Sequence, residues 1–310
     1  MVCRIEDAQK RAAGELSRQR IRIADACMVG EKYGGKTMSI KLIYSDVDGT
    51  ILPRGGEISD RTRAAVKACG EAGVPFVICS GRWYVSAKTI ADALGQEEGM
   101  MIVANGGAVV NMDGSIVKEW LTSDEDAHRI YAIMRKYNVM MNSFVRNAVF
   151  SVNSHVMNRK KKGLSGYLGE SYRIVNDDWD AFEKEGLVAP YKLEAYSEDY
   201  EALAKLKAEL LAEGFSVSSA YPDNIEIMSA GFGKGTAVKW LQEHLGVKRE
   251  ESMAFGDNTN DQTMLDAVGW GCAVENAVES LKANAKIVAP PCDEDGVAQI
   301  IEKALRGEIG

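Results

Sequence analysis

Two textures of apolar and polar positions alternate along the chain. From Ile40 to Ala104, short apolar runs alternate with stretches of helical period. Ile40, Leu42, Ile43 and Tyr44 form the first run, which stops at Asp46 and Asp48 and is broken by Gly49. It reads as a short buried strand. Ser59 is a plausible cap for a helix over 60–72, followed by a second buried strand over 74–79 that ends in Ser80-Gly81-Arg82. A helix then runs to about Leu94, where Gly95 closes it, and a third strand over 101–104 ends in Asn105-Gly106-Gly107. Strand, helix, strand, helix, strand is the rhythm of a parallel sheet with crossover helices.

The texture changes near Trp120. A helix over 123–137, extended segments over 148–152 and 191–196, a charged helix over 198–213 and a strand over 215–219 predict an α+β unit with a sheet open on one face. From Asn224 the first texture returns. An extended Ile225–Met228 leads through Gly231-Phe-Gly-Lys234-Gly235 into a helix carrying Val238, Leu241 and Leu245. A buried strand over 252–255 ends in Gly256-Asp-Asn-Thr-Asn-Asp261. Short strands near 272–274 and 287–289 and a helix over 296–305 follow. The expected organisation is α/β. Residues 38–120 and 224–310 form one discontinuous parallel-sheet core, and 121–223 form an inserted α+β domain. Residues 1–37 differ from both. They carry eight Lys/Arg against five Asp/Glu and read as a disordered or loosely helical extension. Met38 then stands as the expected start of translation. Peptides from residues 4–36 in mass spectra of the native protein would exclude that start.

Bulk properties narrow the partners. The 310 residues suit about two domains. A net charge of -8 argues against nucleic acid, and no apolar run is long enough to span a membrane. Six cysteines, Cys3, Cys27, Cys69, Cys79, Cys272 and Cys292, include no C-x-x-C pair and read as reduced thiols of a cytoplasmic protein. The basic run Arg159–Lys162 reads as a solvated loop.

The candidate chemistry lies where the core strands end. Asp46 and Asp48, two apart on an extended chain, point to the same side. They sit at the carboxyl edge, where open α/β sheets bind ligands. Like charges so close call for a cation, and oxygen ligands suit magnesium. An Asp-Gly turn without function is the plain alternative for this stretch alone. Ser80, Asn105, Lys234, Asp257 and Asp261 come from the other strand-end loops. Attack on a phosphate monoester uses all of them. Asp46 is the expected nucleophile. The magnesium ligands are Asp46, the Asp48 carbonyl and Asp257, with Asp261 acting from behind them or through a water. Lys234 pairs with nucleophile and phosphate, while Ser80 and the N–H groups of Gly81 and Arg82 cradle phosphate oxygens. Asp48 is placed to protonate the leaving alcohol and then to deprotonate water.

The run Asp46-Val-Asp48-Gly-Thr-Ile-Leu resembles the first motif of the haloacid dehalogenase superfamily phosphatases. Ser80-Gly-Arg82, Lys234-Gly235 and Gly256–Asp261 look like the second to fourth. The large insertion and the ending Asp295-Gly-Val-Ala298 are similar to the Cof-type branch with a large cap domain. The resemblance implies a Rossmann-like core, magnesium dependence and hydrolysis of small phosphorylated metabolites such as sugar phosphates. It also implies a cap that shapes the pocket, Asn260 at the phosphate, and Asn105 and Arg82 near the substrate. Ser80 stands where many relatives carry Thr, and Asn105-Gly-Gly107 replaces the commoner Asn-Gly-Ala. Two other readings stay open, a phosphotransferase or mutase of the same superfamily and a phospho-accepting signalling domain.

Overall fold

A computed structural model describes residues 40–157, 173–219 and 221–309. The extension over 1–37, Met38, Arg159–Lys162, Cys3 and Cys27 lie outside the described residues. In chain order the first elements are β1 (Leu42–Ser45), α1 (Asp60–Glu71), β2 (Phe76–Ile78), α2 (Tyr84–Ala93), β3 (Met100–Val103), β4 (Ala108–Asn111) and β5 (Ile116–Glu119). Then come α3 (Asp124–Met134), β6 (Met140–Val145), β7 (Ala148–Val152), β8 (Arg173–Asn176), β9 (Lys192–Tyr196), α4 (Tyr200–Ala212), β10 (Ser216–Ser218) and β11 (Asn224–Met228). The chain ends with α5 (Lys234–Leu245), β12 (Ser252–Gly256), α6 (Gln262–Asp266), β13 (Trp270–Val274), α7 (Glu279–Asn284), β14 (Ile287–Ala289) and α8 (Gly296–Leu305). It divides into two compact units, one of the described residues up to Lys118 with those from Lys234 on, the other Glu119–Gly233.

The first unit is built on a parallel sheet of order β14-β13-β12-β1-β2. Leu42, Ile43, Tyr44 and Ser45 are all buried. That is why the run is continuously apolar: helices cover both faces of such a sheet. The register places Ser45 beside Phe255 on one side and Ile78 on the other. The chains leaving these three strands therefore emerge together. Asp46 N–H donates to the Phe255 carbonyl at 2.9 Å, and Cys79 N–H to the Ser45 carbonyl at 2.8 Å. β3 touches this sheet through one parallel bridge, Cys79 to Ile102, and belongs to a separate sheet of order β3-β4-β5. β4 and β5 have no counterpart in the sequence reading. On α8, Val297, Ile300, Ile301 and Ala304 are buried, and α8 packs against α1. A bidentate pair between Arg61 and Glu302, both contacts 2.8 Å, joins the two helices at the surface. Cys69, Cys79, Cys272 and Cys292 are buried free thiols.

The second unit is a six-stranded sheet of order β10-β11-β9-β6-β7-β8, antiparallel except between β7 and β8. Its strands β9 and β11 alternate strictly. Leu193, Ala195, Ile225, Ile227 and Phe150 share one hydrophobic core with Ile130 and Met134 of α3 and Leu203, Leu206 and Leu210 of α4. The intervening Lys192, Glu194 and Glu226 point to the other face. This corrects one expectation. Ile225–Met228 was expected to open the second half of the parallel core, but it lies in β11, paired antiparallel with β9 and β10. Its period of two matches a half-buried strand, so the return to the first unit comes at Lys234.

Candidate active site

Asp46 directly follows β1 and is 6% exposed. A tight turn follows, in which the Val47 carbonyl accepts from Thr50, Ile51 and Leu52 N–H at 3.2, 3.0 and 2.9 Å. Gly49 has φ +86°, and a Cβ there would lie 2.3 Å from Asp257 Oδ2. Only glycine lets the loop after β1 press against that carboxylate. Lys234, 1% exposed, opens α5 and donates from Nζ to Asp46 Oδ1 and Asp261 Oδ1, both at 2.6 Å. The start of α5 can approach α6 because residue 235 is glycine; a Cβ there would sit 2.2 Å from the Thr263 carbonyl oxygen. Asp261 Oδ2 accepts from the N–H groups of Asp257 and Asn258, each at 3.0 Å, which pins the Gly256–Asp261 turn. Carboxylate oxygens of Asp46, Asp257 and Asp261 lie within 4.8 Å of one another. Asp261 is thus committed to Lys234 and the turn, leaving Asp46 and Asp257 as the less encumbered oxygen donors.

A second group adjoins the first through the sheet. Ser80, 1% exposed, accepts at Oγ from Arg82 N–H at 3.2 Å. Asn105 N–H donates to the Ser80 carbonyl at 3.0 Å, and Asn260 Nδ2 donates to Asn105 Oδ1 at 3.2 Å. Asn105 adopts the left-handed region, φ 55°, which asparagine tolerates better than most residues. A Cβ on Gly81 would lie 3.1 Å from Asn105 Oδ1. Ser80, Gly81, Asn105 and Asn260 therefore form one polar wall. Arg82 turns elsewhere: Nε and Nη2 donate to Asp48 Oδ2 and Oδ1 at 2.7 and 2.6 Å, and Nη1 to Ser86 Oγ at 2.9 Å.

These strand-end loops match a known family. The haloacid dehalogenase-like hydrolase family aligns with residues 43–301. The chain belongs to that family. Phosphatase YwtE of Bacillus subtilis, named for 5-amino-6-(5-phospho-D-ribitylamino)uracil, is 28% identical over 287 residues, covering 87% of this chain and 99% of its own. Phosphatase YwpJ of the same organism is 26% identical over 286 residues, with 86% and 100% covered. A solved haloacid dehalogenase-like hydrolase from B. subtilis superposes with TM-score 0.72 at 25% identity, covering 85% of this chain and 99% of that one. A subclass IIB sugar phosphatase, BT4131, shares the fold at TM-score 0.71 and 21% identity, with 84% and 98% covered. The expectations of a haloacid dehalogenase-type hydrolase and of an α/β fold with a parallel sheet are borne out.

In this haloacid dehalogenase-like centre three carboxylates crowd one ammonium. Burial works against charge on Lys234, but Asp261 and Asp46 outweigh it and hold its proton firmly. Burial drives the Asp46 carboxyl well above the usual carboxylate range; Lys234 opposes this, and Asp261 and Asp257 add to it. Burial, then Asp261, lifts Asp257 to about 7. The centre thus holds surplus buried negative charge on hard oxygen donors, which suits a small divalent cation. Three supporting residues escape sequence reading. Thr50 Oγ1 approaches Asp46 Oδ2 at 3.5 Å and lies inside the first motif. Asn276 Nδ2 holds the Gly49 carbonyl at 2.8 Å from 227 positions away, and Ser86 reads as an ordinary helix residue. Neither carries a local signal.

Proposed function

We propose that this chain is a magnesium-dependent, cytoplasmic phosphatase of small phosphorylated metabolites, sugar phosphates or similar, acting through an aspartyl-phosphate. The observation that carries the reading is Asp46, buried directly after β1 and bonded to Lys234 at 2.6 Å. An Asp46 oxygen attacks phosphorus, the ester P–O bond breaks, and Asp48 gives its proton to the leaving oxygen. Water then attacks phosphorus of the aspartyl-phosphate and loses a proton to Asp48. The Asp46–phosphorus bond breaks and phosphate departs. Lys234 answers the charge of both carboxylate and phosphate. Ser80 with the Gly81 and Arg82 N–H groups, and the Asn105–Asn260 pair, hold phosphate oxygens. Asp46, the Asp48 carbonyl and Asp257, with Asp261 behind them, would hold magnesium, which would supply the positive charge that an anion needs to approach a dianion. The curated relatives named as phosphatases support the substrate class.

The test is magnesium-dependent release of phosphate from p-nitrophenyl phosphate. Asp46→Asn should lower kcat to background, a loss on the order of 10⁶-fold. Undiminished turnover by that variant would remove the aspartyl-phosphate mechanism.

A further inference from the structure

We propose that the Arg82 side chain is the positioning group for Asp48: its guanidinium fixes the acid/base carboxylate and does not itself ligate the substrate phosphate. The inference rests on the reading above. Arginine offers a planar pair of parallel donors that matches a carboxylate. Here that pair, Nε and Nη2, is engaged by the two oxygens of Asp48. The remaining terminal nitrogen is anchored on Ser86, in the first turns of α2.

The backbone of Arg82 is held as firmly as its side chain. Its N–H donates to Ser80 Oγ at 3.2 Å, and its carbonyl accepts from Ala104 N–H at 2.9 Å. The fork thus grows from the same strand-end loop that forms the phosphate wall. Its target is more open: the Asp48 side chain is 37% exposed and that of Arg82 13%. An aspartate on a strand-end loop with that exposure samples several rotamers unless something holds it. General acid catalysis depends on the carboxyl lying within hydrogen-bond reach of the leaving oxygen. Arg82 supplies that restraint. When one Asp48 oxygen carries the proton, the fork holds the other; after the proton has passed to the leaving oxygen, it holds both. Lys234 already meets the charge of Asp46, so Arg82 is not needed there. The sequence reading, which placed Arg82 by the substrate, could not see this, because the partners are 34 residues apart.

The experiment compares p-nitrophenyl phosphate, whose leaving group needs no proton, with glycerol 2-phosphate, whose leaving group does. Arg82→Gln, Arg82→Lys, Ser86→Ala, Asp48→Asn and the double variant Asp48→Asn/Arg82→Gln are assayed with magnesium. Arg82→Gln should lower kcat on the alkyl ester by about 10–10²-fold with KM little changed, while the pre-steady-state burst of p-nitrophenolate from the aryl ester, which needs no proton from Asp48, should be nearly unaffected. Arg82→Lys keeps the charge but not the fork and should fall between, and Ser86→Ala should show the same selective pattern more weakly. The double variant should be little worse than Asp48→Asn alone, since the two residues act as a unit. A rise in KM on both esters with an unchanged ratio of kcat values would make Arg82 a phosphate ligand and overturn the proposal. Full additivity in the double variant would do the same. Should Arg82→Gln fail to fold, Arg82→Lys and Ser86→Ala carry the same comparison. Activity surviving in Asp46→Asn strikes the phosphatase mechanism itself, whereas a dead Asp46→Asn beside an Arg82→Gln that raises KM on both esters strikes only this assignment.

Discussion

Lys234 and Lys192 occupy similar settings with different consequences. Each is buried, 1% and 3% exposed, and each bridges two buried carboxylates. Lys234 bonds Asp46 and Asp261 at 2.6 Å. Lys192 bonds Glu194 at 2.6 Å and also Glu226. Around Lys192 the arrangement is a cross-strand one: Glu194 lies opposite both Glu226 and Asn142, in the middle of three paired strands. Tyr196 donates to Glu194 at 3.0 Å, and the Lys192 ammonium lies 4.8 Å from the centre of the Phe144 ring. Around Lys234 the carboxylates stand on loops at strand ends, and a third, Asp257, joins them. A buried lysine with two partners therefore does not mark a catalytic centre. Strand-end placement and a surplus carboxylate, which leaves room for a cation, are what separate the two.

The comparison can be broken most sharply by removing each lysine in turn. Lys234→Met should lower kcat/KM on p-nitrophenyl phosphate by on the order of 10²–10³-fold, because it removes charge stabilisation at the reacting group. Lys192→Met should leave turnover of that small substrate nearly intact in the folded fraction. Its cost should appear in urea unfolding instead, as about 3–5 kcal/mol for a buried carboxylate pair that has lost its cation. A Lys192→Met protein that stays as stable as the parent but cannot turn over p-nitrophenyl phosphate would reverse the roles given to the two clusters.

Magnesium separates them next. A cation bound at Asp46 and Asp257 stabilises the folded chain by mass action, about 2.7 kcal/mol at a concentration 100 times Kd. Thermal melts with and without magnesium should show that gain in the parent and in Glu194→Gln, and should lose it in Asp257→Asn. A gain abolished by Glu194→Gln and kept by Asp257→Asn would place the cation on the wrong sheet.

The contrast also explains what could be read from residues alone. Asp46, Ser80, Asp257 and Lys234 are legible because each sits where an apolar run stops or a helix begins, and such junctions in parallel sheets share one edge. The Lys192 cluster is silent in the sequence, because Lys192 and Glu226 are 34 positions apart and meet only through strand register. The pairing of Arg82 with Asp48 is silent for the same reason. Asn224–Met228 was misassigned because the Gly-rich segment leading to Lys234 follows it directly, and alternation over five residues does not tell which sheet receives the strand. The sequence already sets Asp261 behind Asp46 and Asp257; what it does not give is what holds Asp261 there, namely hydrogen bonds to Lys234 and two backbone N–H groups.

The smallest expected effect is on the pH dependence of stability. In metal-free protein Asp257 holds its proton up to about pH 7, against about 4 for an unfolded aspartate. Between those values the folded chain binds more protons than the unfolded one, so stability falls as pH rises through the window. Asp46 and Glu194 are shifted in the same direction and add to the slope. Melts in EDTA should therefore show a decline on going from pH 5 to pH 7.5, on the order of 1–2 kcal/mol from the catalytic centre. Magnesium, which favours the ionised carboxylates, should remove that share and leave only the contribution of Glu194. Asp257→Asn in EDTA should flatten the slope in part, and Glu194→Gln should do so independently of magnesium. A slope that magnesium leaves untouched, and that vanishes in Glu194→Gln, would assign the surplus charge to the six-stranded sheet and not to the strand ends.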